Sequence, residues 1–345
     1  MKQRNTLIGG AALILLALIV LVFHNRIHFD WAMFWQQLRH ANFVHIAIGI
    51  ALIYSTYWLR AIRWAVFVSP TKKVSAASLV GPQFVGFTGV ALFGRLADLT
   101  RPYLVARRIG LSLSSQVAVY TIERMFDLGA AAIVFSSALA FTPSGMPNHH
   151  IFVRTGLFSL AATAAIALFA VVIRVAGGAV AAFAQSTLGK LSKPLGESFA
   201  TKILGFRDGL NALASFKEFL LVALLSLAMW GIIGEAYLQT AHAFVQTPEL
   251  ADLTYSRVML LMAASIGGSL LQLPIIGWFT QIAVTATAMH AFYNAPIEVA
   301  TACGGMLLVV TFLCIIPTGL IYARIEGVSL KNAAAESEAA TDSNP

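Results

Sequence analysis

Long apolar runs constrain this chain more than any other feature. Six of them lie at about residues 7–23, 43–68, 113–141, 152–174, 219–245 and 299–322. Each reaches the roughly 17–25 residues that a helix needs to cross bilayer hydrocarbon. A water-soluble core has no room for that many. Of the 345 residues 58% are hydrophobic and only 11% are charged, against about 25% in ordinary soluble domains. That balance excludes a soluble globular enzyme and a disordered protein. In lipid, every backbone N–H and C=O must be bonded internally, and runs of this length satisfy that as helices. The predicted fold class is all-α: a polytopic helical membrane protein with about six full transmembrane helices plus two re-entrant or broken helical segments. Residues 1–330 read as one integral-membrane domain and 331–345, rich in Ala, Ser and Glu, as a disordered cytoplasmic tail.

Lys2 and Arg4 precede the first run, as in a signal peptide. No small-x-small cleavage site precedes His24-Asn25-Arg26, so the run reads as an uncleaved first crossing. Cys303 and Cys314, 11 residues apart in one apolar run, read as core packing.

Two further apolar stretches are interrupted. Residues 76–94 carry no charge but contain Gly81-Pro82, Gly86 and Gly89. Residues 257–293 are too long for one crossing and contain Leu273-Pro274-Ile275-Ile276-Gly277. Glycine and proline weaken a helix and free backbone groups. Such groups are tolerated at membrane depth only inside protein or beside water. Both stretches therefore read as re-entrant or discontinuous, with breaks expected around Gly86–Gly89 and Pro274–Gly277. A kinked ordinary helix or a helical hairpin is the alternative.

Charge sets the expected sidedness. With six crossings and the N-terminus inside, the loops 1–6, 60–75, 95–110, 174–218 and 323–345 are cytoplasmic and hold 18 of the 23 Lys and Arg residues. The outer loops hold Arg26, Arg39, Arg154 and Arg257, and Arg124 lies within a crossing. Excess positive charge on the cytoplasmic side is the usual pattern, and it also favours 76–94 not crossing. Net charge of +8 then reflects loops against anionic headgroups, not a nucleic-acid surface. Asp30 is placed to cap a short outer helix with Trp31, Phe34, Trp35 and Leu38 at the interface. Residues 199–217 put Phe199, Ile203, Phe206, Leu210 and Leu213 on one stripe, the pattern of an interfacial amphipathic helix.

The candidate functional residues are the polar ones at membrane depth. In 113–141, Gln116, Tyr120, Glu123 and Asp127 share one narrow helical stripe, and Arg124 can reach Asp127 at i+3. A charged residue at mid-helix costs roughly 2.5–3.5 kcal/mol to insert facing lipid, so these residues must face the bundle. They form either a buried cluster that locks helices together or a polar path. Just upstream, Gly94 to Tyr103 followed by Arg107-Arg108 is the densest charge cluster in the chain. The arginine fork suits phosphate, and Arg95, Asp98, Arg101, Tyr103 and Arg107 are the candidate headgroup-binding residues. An ordinary basic loop is the alternative. In the second half Glu235, Gln239 and His242 share a stripe, and Gln272 and Gln281 flank the Pro274–Gly277 break. A broken helix in each half is an arrangement transporters use. No hydrolase, zinc-protease, nucleotide-loop or dinucleotide motif is present, and no cluster has metal-ligand spacing. The expectation is no enzyme activity, no cofactor, no metal and no nucleic-acid partner.

These residues together resemble a known family. Leu59-Arg60-Ala61-Ile62-Arg63-Trp64, Gly94 to Tyr103, Glu123-Arg124-x-x-Asp127 and Leu273-Pro274 through Gly277 are similar to four motifs of the transmembrane, flippase-like region of bacterial lysylphosphatidylglycerol synthases. The likeness covers roughly 7–325. Two positions depart from it. Arg95 stands where the family has an acid after the glycine, the acid here being Asp98. Gln281 stands where the family's second break carries a glutamate, leaving Glu235 as the alternative acid. The cytosolic aminoacyl-transferase domain of the full synthases has no counterpart in the sequence. The resemblance implies a multi-pass protein of the bacterial inner membrane, with both termini cytoplasmic and phospholipids as partners. It further implies translocation of an anionic or aminoacylated headgroup between leaflets, not lipid synthesis. In that reading Arg101, with Arg95 and Arg107 nearby, receives the phosphate, while Glu123 and Asp127 line the path. The alternative is a non-transporting scaffold or regulator of a separate lipid-modifying enzyme. An intramembrane transferase would need a nucleophile or metal cluster, and none is seen. A transporter should keep polar groups open to a ligand, whereas a scaffold should pair its charges in a closed core.

Overall fold

A computed structural model describes residues 29–142, 144, 149–190, 192–210, 215–269 and 276–328. The first crossing, Gln272, Pro274 and the tail lie outside the described residues. In chain order the helices are α1 (Trp31–His40), α2 (Phe43–Val68), α3 (Ala76–Phe93), α4 (Thr100–Ile109), α5 (Leu113–Ala140), α6 (His149–Leu188) and α7 (Lys193–Leu210). They continue with α8 (Phe216–His242), α9 (Pro248–Ala251), α10 (Tyr255–Ser269), α11 (Ile276–Tyr293), α12 (Ile297–Leu308) and α13 (Ile316–Ile325). No strand occurs among the described residues.

Side chains of the expected kind start the helices. Asp30 caps α1 by accepting from the Met33 N–H at 3.0 Å, as its position suggested. Asn42 does the same for α2 through Val44, and Ser215 with Glu218 forms a reciprocal capping box at α8.

Contacts between helix ends sort them into two groups. At one end Lys72 Nζ donates to the Ile109 carbonyl at 2.7 Å, Ser69 Oγ to Glu218 at 3.3 Å, and Arg108 pairs with Glu326 at 3.3 Å. At the opposite end Asn42 N–H donates to the Ala243 carbonyl at 2.8 Å, Ser256 Oγ to Ala138 at 3.0 Å, and Tyr293 Oη to Arg257 at 2.6 Å. So α2, α5 and α8 run from end to end, as does α12 with α13.

Among the described residues six helical stretches are long and apolar enough to cross a membrane: Phe43–Val68, Ala76–Phe93, His149–Phe169, Val171–Leu188, Phe216–His242 and Ile297–Ile325. α5 carries Glu123, Arg124 and Asp127, yet its 28 residues span about 42 Å and join the two ends. The expected crossing 152–174 continues past a kink at Ala176. Beyond the kink it lies antiparallel to α7, with Gly177 against Arg207 and Gly189 against Gly196. The amphipathic helix expected over 199–217 is found at Lys193–Leu210.

Both interrupted segments pair two helices that return to the end where they start, a form shared by the re-entrant reading and by the helical hairpin weighed against it. The breaks expected in the first are absent: α3 is continuous through Pro82, Gly86 and Gly89, and the chain turns at Gly94, whose φ of 72° favours glycine. α4 then returns along α3 to the end where the pair began. The glycines serve this close return. A Cβ at Gly86 would sit 2.6 Å from the Arg101 Cβ, and one at Gly89 would meet Ala97 at 3.3 Å. The second hairpin, α10 and α11, opens at the opposite end. Thr280 Oγ1 donates to the Gly268 carbonyl near its tip, and Gly277 lies in the first turn of α11.

The last crossing serves both hairpins. α12 packs Gly304 against Ile282 of the second, and α13 places Gly319 on Thr88 and Tyr322 on Phe84 of the first. Between them Val309–Leu313 is a π turn, wider than an α turn by one residue. Tyr54 Oη donates to the Cys314 carbonyl at 2.8 Å, meeting a polar group freed beside that irregularity.

Candidate functional site

Glu123 lies ten residues, about 15 Å, into α5. The stripe that carries it faces inward as expected: Gln116 and Glu123 are 1% exposed and Asp127 is 8% exposed. Arg63, on α2, stands opposite and is fully buried. Its Nη1 donates to Asp127 Oδ1 and to Ser226 Oγ of α8, each at 2.6 Å, while its Nη2 donates to Glu123 Oε1. One guanidinium thus ties three end-to-end helices together.

Arg101 approaches from the first hairpin. Its Nη1 donates to Glu123 Oε1 at 3.0 Å and to Gln83 of α3 at 3.2 Å, and its Nη2 lies 2.8 Å from Glu123 Oε2. The rings of Trp64, Phe87 and Tyr120 surround it at 5.0, 4.9 and 5.2 Å, a desolvated setting in which cation–π attraction adds to the ion pair. Gln116 belongs to the same wall, accepting from Trp64 Nε1 at 2.9 Å.

Two more arginines flank Asp127. Arg60 Nη1 is 3.8 Å and Arg124 Nη2 3.4 Å from Asp127 Oδ2, the latter being the i+3 pair read from the sequence. Asp98 lies close enough to Tyr120 and Arg124 for its charge to act on both. The ionic core therefore sets four guanidinium groups against two carboxylates, with Asp98 a third at its edge. Burying two charges is costly unless geometry and hydrogen bonds repay the lost water. Arg63 and Arg101 meet that condition. Arg60 Nη1, Arg124 Nε and Nη2 and Gln83 Nε2 are buried without a hydrogen-bond partner.

The structure divides the residues expected to form the site. Asp98, Arg101, Gln116, Tyr120, Glu123, Arg124 and Asp127 come together. Arg107 does not: it is exposed near the end of α4. Tyr103 packs instead beside Val85, Leu104 and Ala323. Of Arg95 only the backbone, in a 3-10 turn, is described. Arg101, expected to receive the phosphate, has both of its η nitrogens engaged by Glu123 and Gln83 in this structure. Sequence reasoning missed Arg60 and Arg63 as site residues by counting them with the basic loop 60–75. They lie inside α2, and two acids at i and i+4 in a lipid-length helix were the signal that cations had to come from a neighbour.

Glu235 and Gln281 lie elsewhere. Gln281 Nε2 and Tyr237 Oη both donate to Ser265 Oγ at 3.0 Å. Glu235 accepts from Gln239 at 2.8 Å, whose Oε1 is 2.6 Å from His45 Nδ1. No hydrogen bond or ion pair described here links either group to the arginine cluster.

Ionised groups buried among lipid-length helices mark a multi-pass integral membrane protein with an ionic centre, not a soluble bundle. The profile of the lysylphosphatidylglycerol synthase TM region matches residues 7–320, and the chain belongs to that family. No curated protein and no solved structure matches the chain.

Proposed function

We propose that this protein carries a phospholipid headgroup, anionic or aminoacylated, between the leaflets of a bacterial cytoplasmic membrane, without chemically altering it. The observation that carries this reading is the unequal charge of the buried cluster. Positive charge in excess at membrane depth, with buried donors left unpartnered, is expensive for a scaffold and useful for an anionic ligand. The engagement of the η nitrogens of Arg63 and Arg101 is what the alternative, a non-transporting partner of a lipid-modifying enzyme, would need. The openness of Arg60 and Arg124 is what it would not.

Sidedness follows from charge. The end bearing Lys72, Lys73, Arg107, Arg108, Lys217 and Arg324 is assigned to the cytoplasm, and the end bearing Arg39, Arg154 and Arg257 to the outer side. Cysteines placed at Pro248 should then be labelled from outside intact cells, and cysteines at Lys193 should not. The reverse pattern overturns the assignment.

The deciding experiment is a leaflet-resolved assay in proteoliposomes, offering several anionic and aminoacylated phospholipids. Movement faster than in protein-free vesicles, with lipids recovered unmodified, is expected. Equal rates with and without protein for every lipid would leave the scaffold.

A further inference from the structure

We infer that Arg60 and Arg124 together form a binding site for a singly charged phosphodiester, and that Arg63 and Arg101 are the frame that holds it. The inference deepens the carrier reading and rests on it only for the source of the phosphate, a lipid headgroup.

The four arginines are not equivalent. The side chains of Arg63 and Arg101 are 0% and 4% exposed, whereas those of Arg60 and Arg124 are 13% and 38% exposed. The two buried ones spend their donors on Glu123, Asp127, Ser226 and Gln83. The two more open ones approach Asp127 Oδ2 without completing a hydrogen bond to it, and keep unpartnered nitrogens. Exposure singles out this pair, and in it the unpartnered nitrogens include η nitrogens, whereas in Arg63 only Nε lacks a partner.

Their placement fits one phosphate. Arg60 Nη1 and Arg124 Nη2 flank the same carboxylate oxygen at 3.8 and 3.4 Å. They are therefore within about 7 Å of each other, a gap that two oxygens of one phosphate span with ordinary charge-assisted hydrogen bonds. Each guanidinium is steadied by a ring, Arg60 over Phe87 at 4.7 Å and Arg124 over Tyr120 at 5.2 Å. Stacking of this kind pre-orients the fork and lowers the entropy lost on binding.

Charge selects the ligand class. Four guanidinium groups against Glu123, Asp127 and Asp98 leave one positive charge. A phosphodiester carries one negative charge and neutralises the centre. A phosphomonoester, with a charge nearer two, overshoots it. Asp127 is the internal stand-in, keeping the two cations near a carboxylate while no phosphate is present.

The test measures ligand-induced thermal stabilisation of the full chain in neutral detergent. The probes are phosphatidylglycerol, phosphatidic acid, diacylglycerol and inorganic phosphate. Wild type should be stabilised most by phosphatidylglycerol and not by diacylglycerol. Arg60→Gln and Arg124→Gln should each weaken apparent affinity about tenfold, the weight of one charge-assisted hydrogen bond. Arg39→Gln, far from the cluster, should bind as wild type does. Where a glutamine variant fails to fold, Arg60→Lys or Arg124→Lys keeps the charge, loses the fork and should still bind about tenfold more weakly. Wild-type affinity in the Arg60 and Arg124 variants overturns the pair. Tighter binding of phosphatidic acid, or equal binding of inorganic phosphate, overturns the phosphodiester. The carrier reading fails separately: specific binding with no movement in proteoliposomes removes transport and leaves the site standing.

Discussion

The two helical hairpins enter from opposite ends with similar geometry and bury different chemistry. The first, Ala76–Ile109, delivers Arg101, backed by Gln83, to Glu123 and so closes around charge. The second, Tyr255–Tyr293, delivers Ser265 and Gln281 to Tyr237 and closes around neutral groups. A neutral buried group is satisfied by one or two hydrogen bonds. A buried ion needs a counter-ion, additional donors and a dry, well-fitted wall. The first hairpin supplies all three, which explains its aromatic lining and its tight glycine contacts. One backbone plan thus separates electrostatic from hydrogen-bonding duty, and the buried ion pairs belong to the first hairpin.

That contrast is most easily broken at Arg63. Arg63→Gln strands Glu123 and Asp127 with fewer counter-ions and should cost about 3–5 kcal/mol of stability. Thermal unfolding of the purified variant checks this, and a melting temperature near wild type would mean the charged centre does not hold the helices. Gly86→Val comes next. Its side chain would press on Arg101 and pry α4 from α3, at about 1–3 kcal/mol. The same substitution at Gly129, where a Cβ meets nothing within 4 Å, should be nearly silent. Equal losses at the two glycines would remove close approach as the reason for Gly86. In the second hairpin Gln281→Leu gives up the bond to Ser265 and should cost only about 1 kcal/mol. A loss as large as that of Arg63→Gln would erase the distinction between the halves. Smallest of all, Arg107→Gln changes an exposed cation outside the cluster and should stay within about 0.5 kcal/mol in melting. A marked fall in lipid binding by that variant would return the headgroup site to the basic loop.

Much of this was legible in the sequence because lipid imposes simple rules. Run lengths gave the end-to-end helices α2, α5, α8 and α12 with α13, and the Asp30 cap was readable from one side chain. The inward stripe on α5 followed from the cost of facing lipid. What escaped notice did so for physical reasons. Positive-inside counting assigns arginines near helix ends to loops, and so hid Arg60 and Arg63 inside α2. Glycine weakens a lone helix and equally permits two helices to touch. Only the fold shows that Gly86 and Gly89 do the second. The fork of Arg101 suits a phosphate and a glutamate alike, and sequence spacing does not reveal that Glu123 already occupies it.

The π turn at Val309–Leu313 sets a phase. A helix that met both hairpins with unbroken α periodicity would have to present suitable faces at angles fixed by the spacing between contacts. One extra residue rotates everything after it by about 100°. Gly304 can then be aimed at Ile282, where a Cβ would be tight at 3.2 Å, and Gly319 at Thr88, where no side chain would fit, without either contact dictating the other. Removing a single residue from the turn should straighten the helix and swing the Gly319 face away from the first hairpin, leaving the second in place. The two halves are thereby tuned independently along one continuous stretch of chain.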